Sequence, residues 1–68
     1  MEFVIVSFKE DRTVLADGEE LGQTNETLNI GAGHHIFSLS NPQNYQPLSV
    51  TVNIQGTTSL APFIVKFQ

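Results

Sequence analysis

Apolar and polar residues alternate with a period of two along most of this chain, a pattern typical of short β-strands. The alternation is clearest where Leu48, Val50, Val52 and Ile54 are separated by single polar residues, and we expect these four side chains to point into a core. The same pattern predicts further strands over residues 3–8, 13–16, 19–21, 27–30, 34–40 and 58–67. No window has the periodicity of a helix, so the sequence predicts an all-β protein.

Turn-forming residues separate these segments. Asp17-Gly18 is a strong hairpin signal, because glycine adopts a positive φ without steric cost. Further turns are expected at residues 31–33 and 41–44, which are rich in glycine, asparagine and proline. Short strands joined by tight turns favour a small antiparallel β-sandwich of six or seven strands.

The last predicted strand contains a break in the alternation. Leu60 faces inward in this pattern, but the later inward set begins three residues on, at Phe63. Pro62 lies between them and cannot donate a hydrogen bond to a neighbouring strand. We therefore expect a β-bulge at Ala61-Pro62, which would restore the facing of the later residues.

Length and composition limit how this domain can be stabilised. Residues 1–68 form one domain, and a chain of this size buries only about 60% of its unfolded surface. It contains no cysteine, so neither a disulfide nor a thiolate metal site is possible. The remaining sources of stability are a well-packed core and association with a partner.

Charge and hydropathy exclude several classes of partner. The formal net charge is -4, and no basic stripe is present to bind nucleic acid. No apolar run approaches the roughly 18 residues of a membrane span, so we expect no membrane insertion. The N-terminal residues lack the basic region and cleavage site of a signal peptide, which leaves a cytoplasmic chain and an excised or processed module as alternatives.

Turn and core residues fall at spacings shared with a known family. The matching positions are Ser7, Val14, Asp17, Gly18, Gly22, Thr24, Leu28, Gly33, His35, Phe37, Leu39, Tyr45 and Pro47. Over nearly its whole length the chain resembles a PEGA domain, a small immunoglobulin-like β-sandwich module of bacterial and archaeal surface and regulatory proteins. It departs from the family at residues 9–12, where only Glu10 of the Pro-Glu-Gly-Ala tetrad remains, and at Asn25 and Asn44, which replace a proline and a glycine. The resemblance implies an immunoglobulin-like fold and a binding or spacer role, with no catalytic residue and no cofactor.

The adjacent histidines and the acidic turn are the candidates for chemistry. His34 and His35 lie next to each other on a predicted strand and point to opposite faces, so they do not share a metal ion. We expect His35 to be packed, with a ring nitrogen bonded to a turn carbonyl, and His34 to lie at the surface. Asp17, Glu19 and Glu20 form an acidic hairpin tip, but calcium needs six or more oxygens in a fixed array, so we favour a solvated turn.

Tyr45 bears on a second class of function. The chain has one tyrosine and no tryptophan, so a carbohydrate- or cell-wall-binding site built on a stacking ring would have to use Tyr45. The family resemblance places this tyrosine in the core. Carbohydrate binding is therefore the alternative function, after protein binding.

Residues 3–8 are apolar on both faces, which a strand with one solvated face does not show. We assign Phe3 and Ile5 to the inward face, so the side chains between and after them point outward. These outward side chains and the apolar residues at outward positions of later strands together form a predicted partner interface. Its residues are Val4, Val6, Phe8, Leu15, Ile36 and Ile64. The alternative is that both faces of this strand are covered within the domain, as at the centre of a sandwich.

These observations favour a non-catalytic protein–protein interaction or assembly module and not an enzyme. Such a module would bind a protein partner or a second copy of itself through the outward apolar residues or an edge strand. The expected setting is an accessory or decoration subunit of a larger structure, such as a cell envelope or a virion.

Overall fold

The computed structural model describes all 68 residues and consists of two sheets of short strands, without a helix. The strands, in chain order, are β1 (Glu2–Ser7), β2 (Thr13–Ala16), β3 (Glu19–Gln23), β4 (Thr27–Ile30), β5 (Gly33–Leu39), β6 (Val50–Ile54) and β7 (Phe63–Lys66). One sheet has the order β4-β1-β7 and the other the order β3-β2-β5-β6. Neighbouring strands are antiparallel except β1 and β7, which are parallel. The predicted all-β sandwich of six or seven short strands is confirmed.

The β2–β3 hairpin has the turn that Asp17-Gly18 predicts. Asp17 has a φ of 55° and Gly18 a φ of 84°. Positive values at both central residues are those of a type I′ turn, whose twist matches that of the strands it joins. The register shifts between Val14 and Leu15, which leaves Leu21 of β3 without a cross-strand partner and places a β-bulge in β3, opposite β2.

Alternate residues of the strands form one core between the two sheets. Val14, Phe37 and Ile54 of the four-stranded sheet are fully buried, as are Val4 and Val6 of β1. The other buried core residues are Phe8, Leu28, Ile30, Leu39, Tyr45, Val65 and Phe67. Full burial of such a side chain contributes about 1.5–3 kcal/mol, so this cluster is the main source of stability in a chain without a disulfide.

The predicted facing of β1 is wrong. The sequence-based assignment turns Val4, Val6 and Phe8 outward, but the exposed fraction is 0% for Val4 and Val6 and 6% for Phe8. Phe3 and Ile5 occupy the outward positions instead and are half-buried. Since both faces of this strand are apolar, its alternation does not set the phase, and a shift of one residue exchanges the two faces.

Aromatic packing at the end of β1 is consistent with the observed phase. The ring of Phe8 meets that of Tyr45 edge to face, with centroids 6.1 Å apart, and Tyr45 meets Phe67 in the same way at 5.5 Å. Such pairs contribute about 0.5–1.5 kcal/mol beyond their buried area. With Phe8 fixed in this cluster, the even-numbered residues of β1 point inward.

Two residues that the sequence assigns to the core are exposed. Leu48 lies before the start of β6 and is 54% exposed, whereas Ile54 at the end of β6 is fully buried, as predicted. Leu60 is 96% exposed because it lies at the tip of a turn in which Thr58 and Ala61 share two backbone hydrogen bonds. This turn resets the facing before β7, so the bulge expected at residues 61–62 does not form.

Arg12 holds the connection between β5 and β6 against the body of the domain. Its Nη1 donates to the carbonyl oxygens of Ser40 (3.2 Å) and Pro42 (2.9 Å) and to Oδ1 of Asn44 (3.2 Å). Its Nη2 donates to the carboxylate of Glu10. One guanidinium therefore fixes several backbone and side-chain groups of the β5–β6 connection, a segment that contains no strand.

Tyr45 fixes the same connection from within the core. Its hydroxyl donates to the carbonyl oxygen of Leu39 at 2.7 Å and accepts from the N–H of Leu39 at 3.2 Å. Both capacities of the buried hydroxyl are used, so its burial leaves no unpaired polar atom.

Thr24 is the one polar residue in the buried set. Its Oγ1 accepts from the N–H of Arg12 at 2.9 Å and donates to the carbonyl oxygen of Glu10 at 2.8 Å. Its own N–H donates to the carbonyl oxygen of Arg12 at 2.9 Å. Thr24 thus satisfies the backbone of the β1–β2 connection, which passes through residues 8–12 without forming a strand.

Candidate functional site

The three-stranded sheet carries apolar side chains at the centre of its solvent side. Alternation along β1 places Phe3 and Ile5 on this side, and alternation along β7 places Ile64 there. Ile5 and Ile64 are direct neighbours in the parallel pairing of β1 with β7. We call Phe3, Ile5 and Ile64 the outer apolar face.

Polar groups border this face. In β4, Asn29 is the cross-strand partner of Phe3 and Thr27 that of Ile5, and both are exposed. In β7, Lys66 lies two residue pairs beyond Ile64, on the same side of the sheet, and is the only cation in the three strands. An apolar centre with a polar rim is the arrangement that marks many protein interfaces.

No carboxylate of the three strands lies on the outer apolar face. Glu2 is the one acidic residue in β1, β4 and β7, and it belongs to the other side of β1. Its Oε1 accepts from the N–H of Thr57 at 2.8 Å and from the hydroxyl of Thr57 at 2.6 Å. These two hydrogen bonds, first that of the side chain and then that of the backbone, lower the pKa of the Glu2 carboxyl.

The residues of the predicted interface do not come together on one surface. The first three of them lie in the core, as described above. Leu15 and Ile36 lie on the solvent side of the four-stranded sheet, whereas Ile64 lies on the solvent side of the three-stranded sheet. The predicted set is therefore divided among the core and the two opposite surfaces of the sandwich.

The solvent side of the four-stranded sheet has no apolar centre of this kind. Leu15 is opposite Ser38 in β5, and Ile36, which is 50% exposed, is opposite Thr51 in β6. Single apolar residues with polar neighbours are normal on a protein surface. The sequence does not identify Phe3 and Ile5 as outward-facing residues, because the facing of β1 depends on how the strand packs in the fold.

Asp17 and His35 form a polar cluster at the turns beside β2 and β5. His35 Nδ1 is 2.8 Å from Oδ2 of Asp17, and its Nε2 is 2.7 Å from the carbonyl oxygen of Gly31. Oδ1 of Asp17 accepts from the N–H of Ile36 at 3.0 Å. The prediction that His35 bonds a turn carbonyl is confirmed, and His34 is exposed, as predicted.

The hydrogen bonds change the acidity of both partners. The bond to Asp17, and then the bond to the Gly31 carbonyl, raise the pKa of His35, because both acceptors favour the doubly protonated ring. The bond from His35, followed by that from the Ile36 N–H, lowers the pKa of Asp17. Since both ring nitrogens are engaged, the imidazole ties the β2–β3 turn to the β4–β5 turn.

A shallow cavity of about 200 Å³ adjoins this cluster. Its lining residues are Ala16, Asp17, Glu19, Glu20, Leu21, Ile30 and His35. No group of three or more histidine, aspartate or glutamate side chains is placed so that it could hold a metal ion. The acidic tip has the solvated, exposed character that the sequence analysis favoured, since Asp17, Glu19 and Glu20 are all exposed.

A larger cavity of about 420 Å³ is lined by Gln46, Pro47, Lys66 and Gln68 and contains no hydrophobic or aromatic side chain. Tyr45 next to it is only 3% exposed. Its ring faces are buried in the core, so neither is available to stack on a sugar. A carbohydrate site would therefore lack the ring that the sequence hypothesis requires.

No helix that is long and apolar enough to cross a membrane is found in the chain. Comparisons with protein-family models, with curated proteins and with solved structures find no match for this chain.

Proposed function

We propose that this chain is a non-catalytic interaction or assembly module, an accessory subunit that attaches to a protein partner in a larger structure. The attachment surface is the outer apolar face. The observation that carries this proposal is the pairing of Ile5 with Ile64, next to Phe3, on the solvent side of a sheet. A solvated strand face normally carries polar side chains, as Thr51 and Asn53 of β6 do.

The composition of the outer apolar face defines the kind of partner. Apolar side chains of the partner would cover Phe3, Ile5 and Ile64, and an acceptor or carboxylate would meet Lys66 at the rim. No carboxylate of the sheet has to be desolvated, so association avoids the main electrostatic cost of burying an acidic surface. Each fully buried side chain of this size contributes about 1.5–3 kcal/mol, which supports specific binding after association costs are met.

Two features support a binding role over catalysis or carbohydrate binding. Both ring nitrogens of His35 are already hydrogen-bonded, so this imidazole is not free to exchange a proton with a substrate. The single tyrosine is buried and offers no stacking surface. The resemblance to PEGA domains also favours a binding or spacer role, and a cell envelope or a virion is the setting we propose for it.

Site-specific photocross-linking tests the proposal in cells that make the protein. A photoreactive phenylalanine analogue is placed at Ile64 in one variant and at Ile36 in the other. The two isoleucines are 46% and 50% exposed, so the pair is matched in accessibility and differs in the sheet that carries it. We expect the probe at Ile64 to capture a defined protein that the probe at Ile36 does not capture. Equal labelling from both positions would contradict the proposal.

A further inference from the structure

The edge strand β6 is a second surface, separate from the outer apolar face. It pairs only with β5, so the N–H and C=O groups of alternate residues point away from the sheet. Its sequence, Val50–Ile54, contains no charged residue, proline or glycine. Charged residues and prolines are among the features with which natural proteins prevent an exposed edge strand from pairing with another chain.

The other edges of the two sheets carry such devices. In β3, Glu19 and Glu20 are exposed and the pairing with β2 is bulged. β7 follows Pro62 and ends at Lys66. β4 lies beside β3 and is only four residues long. β6 is therefore the one edge strand that is longer than four residues and has no charge, bulge or adjoining proline.

The inward side chains of β6 also lack full cover. Val50 and Val52 point into the sandwich and pack against the core, yet they are only half-buried. No further strand of this chain lies beyond β6 in its sheet. A strand added at this edge would place its own inward residues beside Val50 and Val52 and remove apolar surface from water.

We propose that β6 pairs antiparallel with β6 of a second copy of this chain, which joins the two four-stranded sheets into one sheet of eight strands. With Val52 at the twofold axis, Val50 lies opposite Ile54 of the second copy, and Thr51 lies opposite Asn53 of the second copy. The strand reads apolar, polar, apolar, polar, apolar in both directions, so each residue meets one of its own class.

Charge favours this edge as the contact between two copies. Each copy carries a formal net charge of -4, so contact through an acidic surface would be repulsive. β6 has no charged residue, and the carboxylates of β3 lie at the opposite edge of the same sheet. This pairing goes beyond the proposed function, because it uses a different surface and leaves the outer apolar face free for the other partner.

Sedimentation equilibrium of variants with designed charge pairs tests the register of the proposed β6–β6 pairing. The double variant Thr51→Lys with Asn53→Lys places two ammonium groups opposite each other at both cross-strand positions, and we expect the dimer dissociation constant to rise by at least about tenfold. Thr51→Lys with Asn53→Glu places an ammonium opposite a carboxylate at the same positions, and dimerisation should return. Both side chains are exposed, so neither variant disturbs the core.

Cysteine pairing gives an independent readout, because the chain has no cysteine of its own. When equal amounts of Thr51→Cys and Asn53→Cys chains are mixed and oxidised, the mixed disulfide should exceed the two homodimers combined, because random pairing would only equal them and only the mixed pair lies directly opposite. A wild-type chain that stays monomeric up to about 1 mM would overturn the proposal. So would a dimer that survives the two lysines and is lost with Ile64→Glu, a result that would leave the outer apolar face as the site of self-association. If the lysine variant fails to fold, the cysteine experiment decides.

Discussion

Asp17 and His35 lie 18 residues apart in the chain, and a hydrogen bond of 2.8 Å joins their side chains. Each of them also holds a backbone group: the carboxylate of Asp17 accepts from the N–H of Ile36, and Nε2 of His35 bonds the carbonyl oxygen of Gly31. Two turns at the same end of the sandwich are thus tied together by one ion pair. The strength of this tie depends on protonation.

The first prediction concerns the pH dependence of stability. The pKa of His35 is raised on folding, so its contribution is complete below the ordinary histidine value of about 6.5 and is lost as the pH rises through the higher folded-state value. The pKa of Asp17 is lowered, so its contribution is present above about pH 3.9 and is lost as the pH falls. The pair should therefore stabilise the domain most between about pH 4 and 6.5.

Thermal midpoints measured between about pH 5 and pH 9 check this sign. The wild type should lose stability as the pH rises, and His35→Gln should flatten this part of the curve. His34→Gln is the control, because His34 is exposed and does not share in the bonds of His35 to Asp17 and Gly31, and it should keep the slope of the wild type. An unchanged slope in His35→Gln would show that the pair does not act as described.

The second prediction tests the facing of β1. Val6→Ala removes two buried methyl groups and should lower the free energy of unfolding by about 1.5–3 kcal/mol. Ile64→Ala, at a position 46% exposed, should lower it by less than about 1 kcal/mol. Urea denaturation of the two variants measures both values, and equal losses would contradict the assignment of Val6 to the core.

The third prediction separates backbone conformation from packing. A Cβ at Gly18 or at Gly31 would meet no atom within 4 Å, but only Gly18 has a φ in the left-handed region, at +84°. Gly18→Ala should therefore cost about 1–2 kcal/mol, whereas Gly31→Ala should be neutral or slightly stabilising. If both substitutions shift the urea midpoint alike, the type I′ turn is not the cause.

The fourth prediction concerns the buried hydroxyl of Thr24. Thr24→Val keeps the shape of the side chain and leaves the N–H of Arg12 and the carbonyl oxygen of Glu10 without a partner. This should cost about 1–3 kcal/mol of unfolding free energy. Thr27→Val, at an exposed position, should change it by no more than about 0.5 kcal/mol. A calorimetric comparison that finds no difference would mean that water replaces the hydroxyl.

Local signals in the sequence predict the local features of this fold. Asp17-Gly18 specifies its turn because both residues tolerate a positive φ, and the alternation of residues 50–54 specifies which side of β6 faces the core. The hydrogen bond of His35 to a turn carbonyl follows from an inward histidine close to a glycine-rich turn. In each case the residues that decide the structure lie within a few positions of one another.

Long-range contacts decide the features that the sequence analysis misses. β1 is apolar on both sides, so its alternation does not set its facing. Phe8 packs against Tyr45, and the even-numbered residues of β1 point inward, whereas the sequence predicts that the odd-numbered ones do. Leu60 continues an apolar pattern, but it lies in a four-residue turn from Thr58 to Ala61 and is exposed to solvent. The outer apolar face depends on the phase of β1, so the predicted interface includes Val4, Val6 and Phe8, which are buried, and omits Phe3 and Ile5.

Binding affinity for the protein captured by cross-linking tests the central claim most directly. The measurement compares Ile64→Glu with Ile36→Glu, two substitutions at similarly exposed isoleucines on opposite surfaces of the sandwich. If the outer apolar face is the attachment surface, Ile64→Glu should weaken binding by at least about tenfold while the thermal midpoint stays close to that of the wild type, and Ile36→Glu should bind normally. Wild-type affinity in Ile64→Glu, or an equal loss in both variants, would contradict the account.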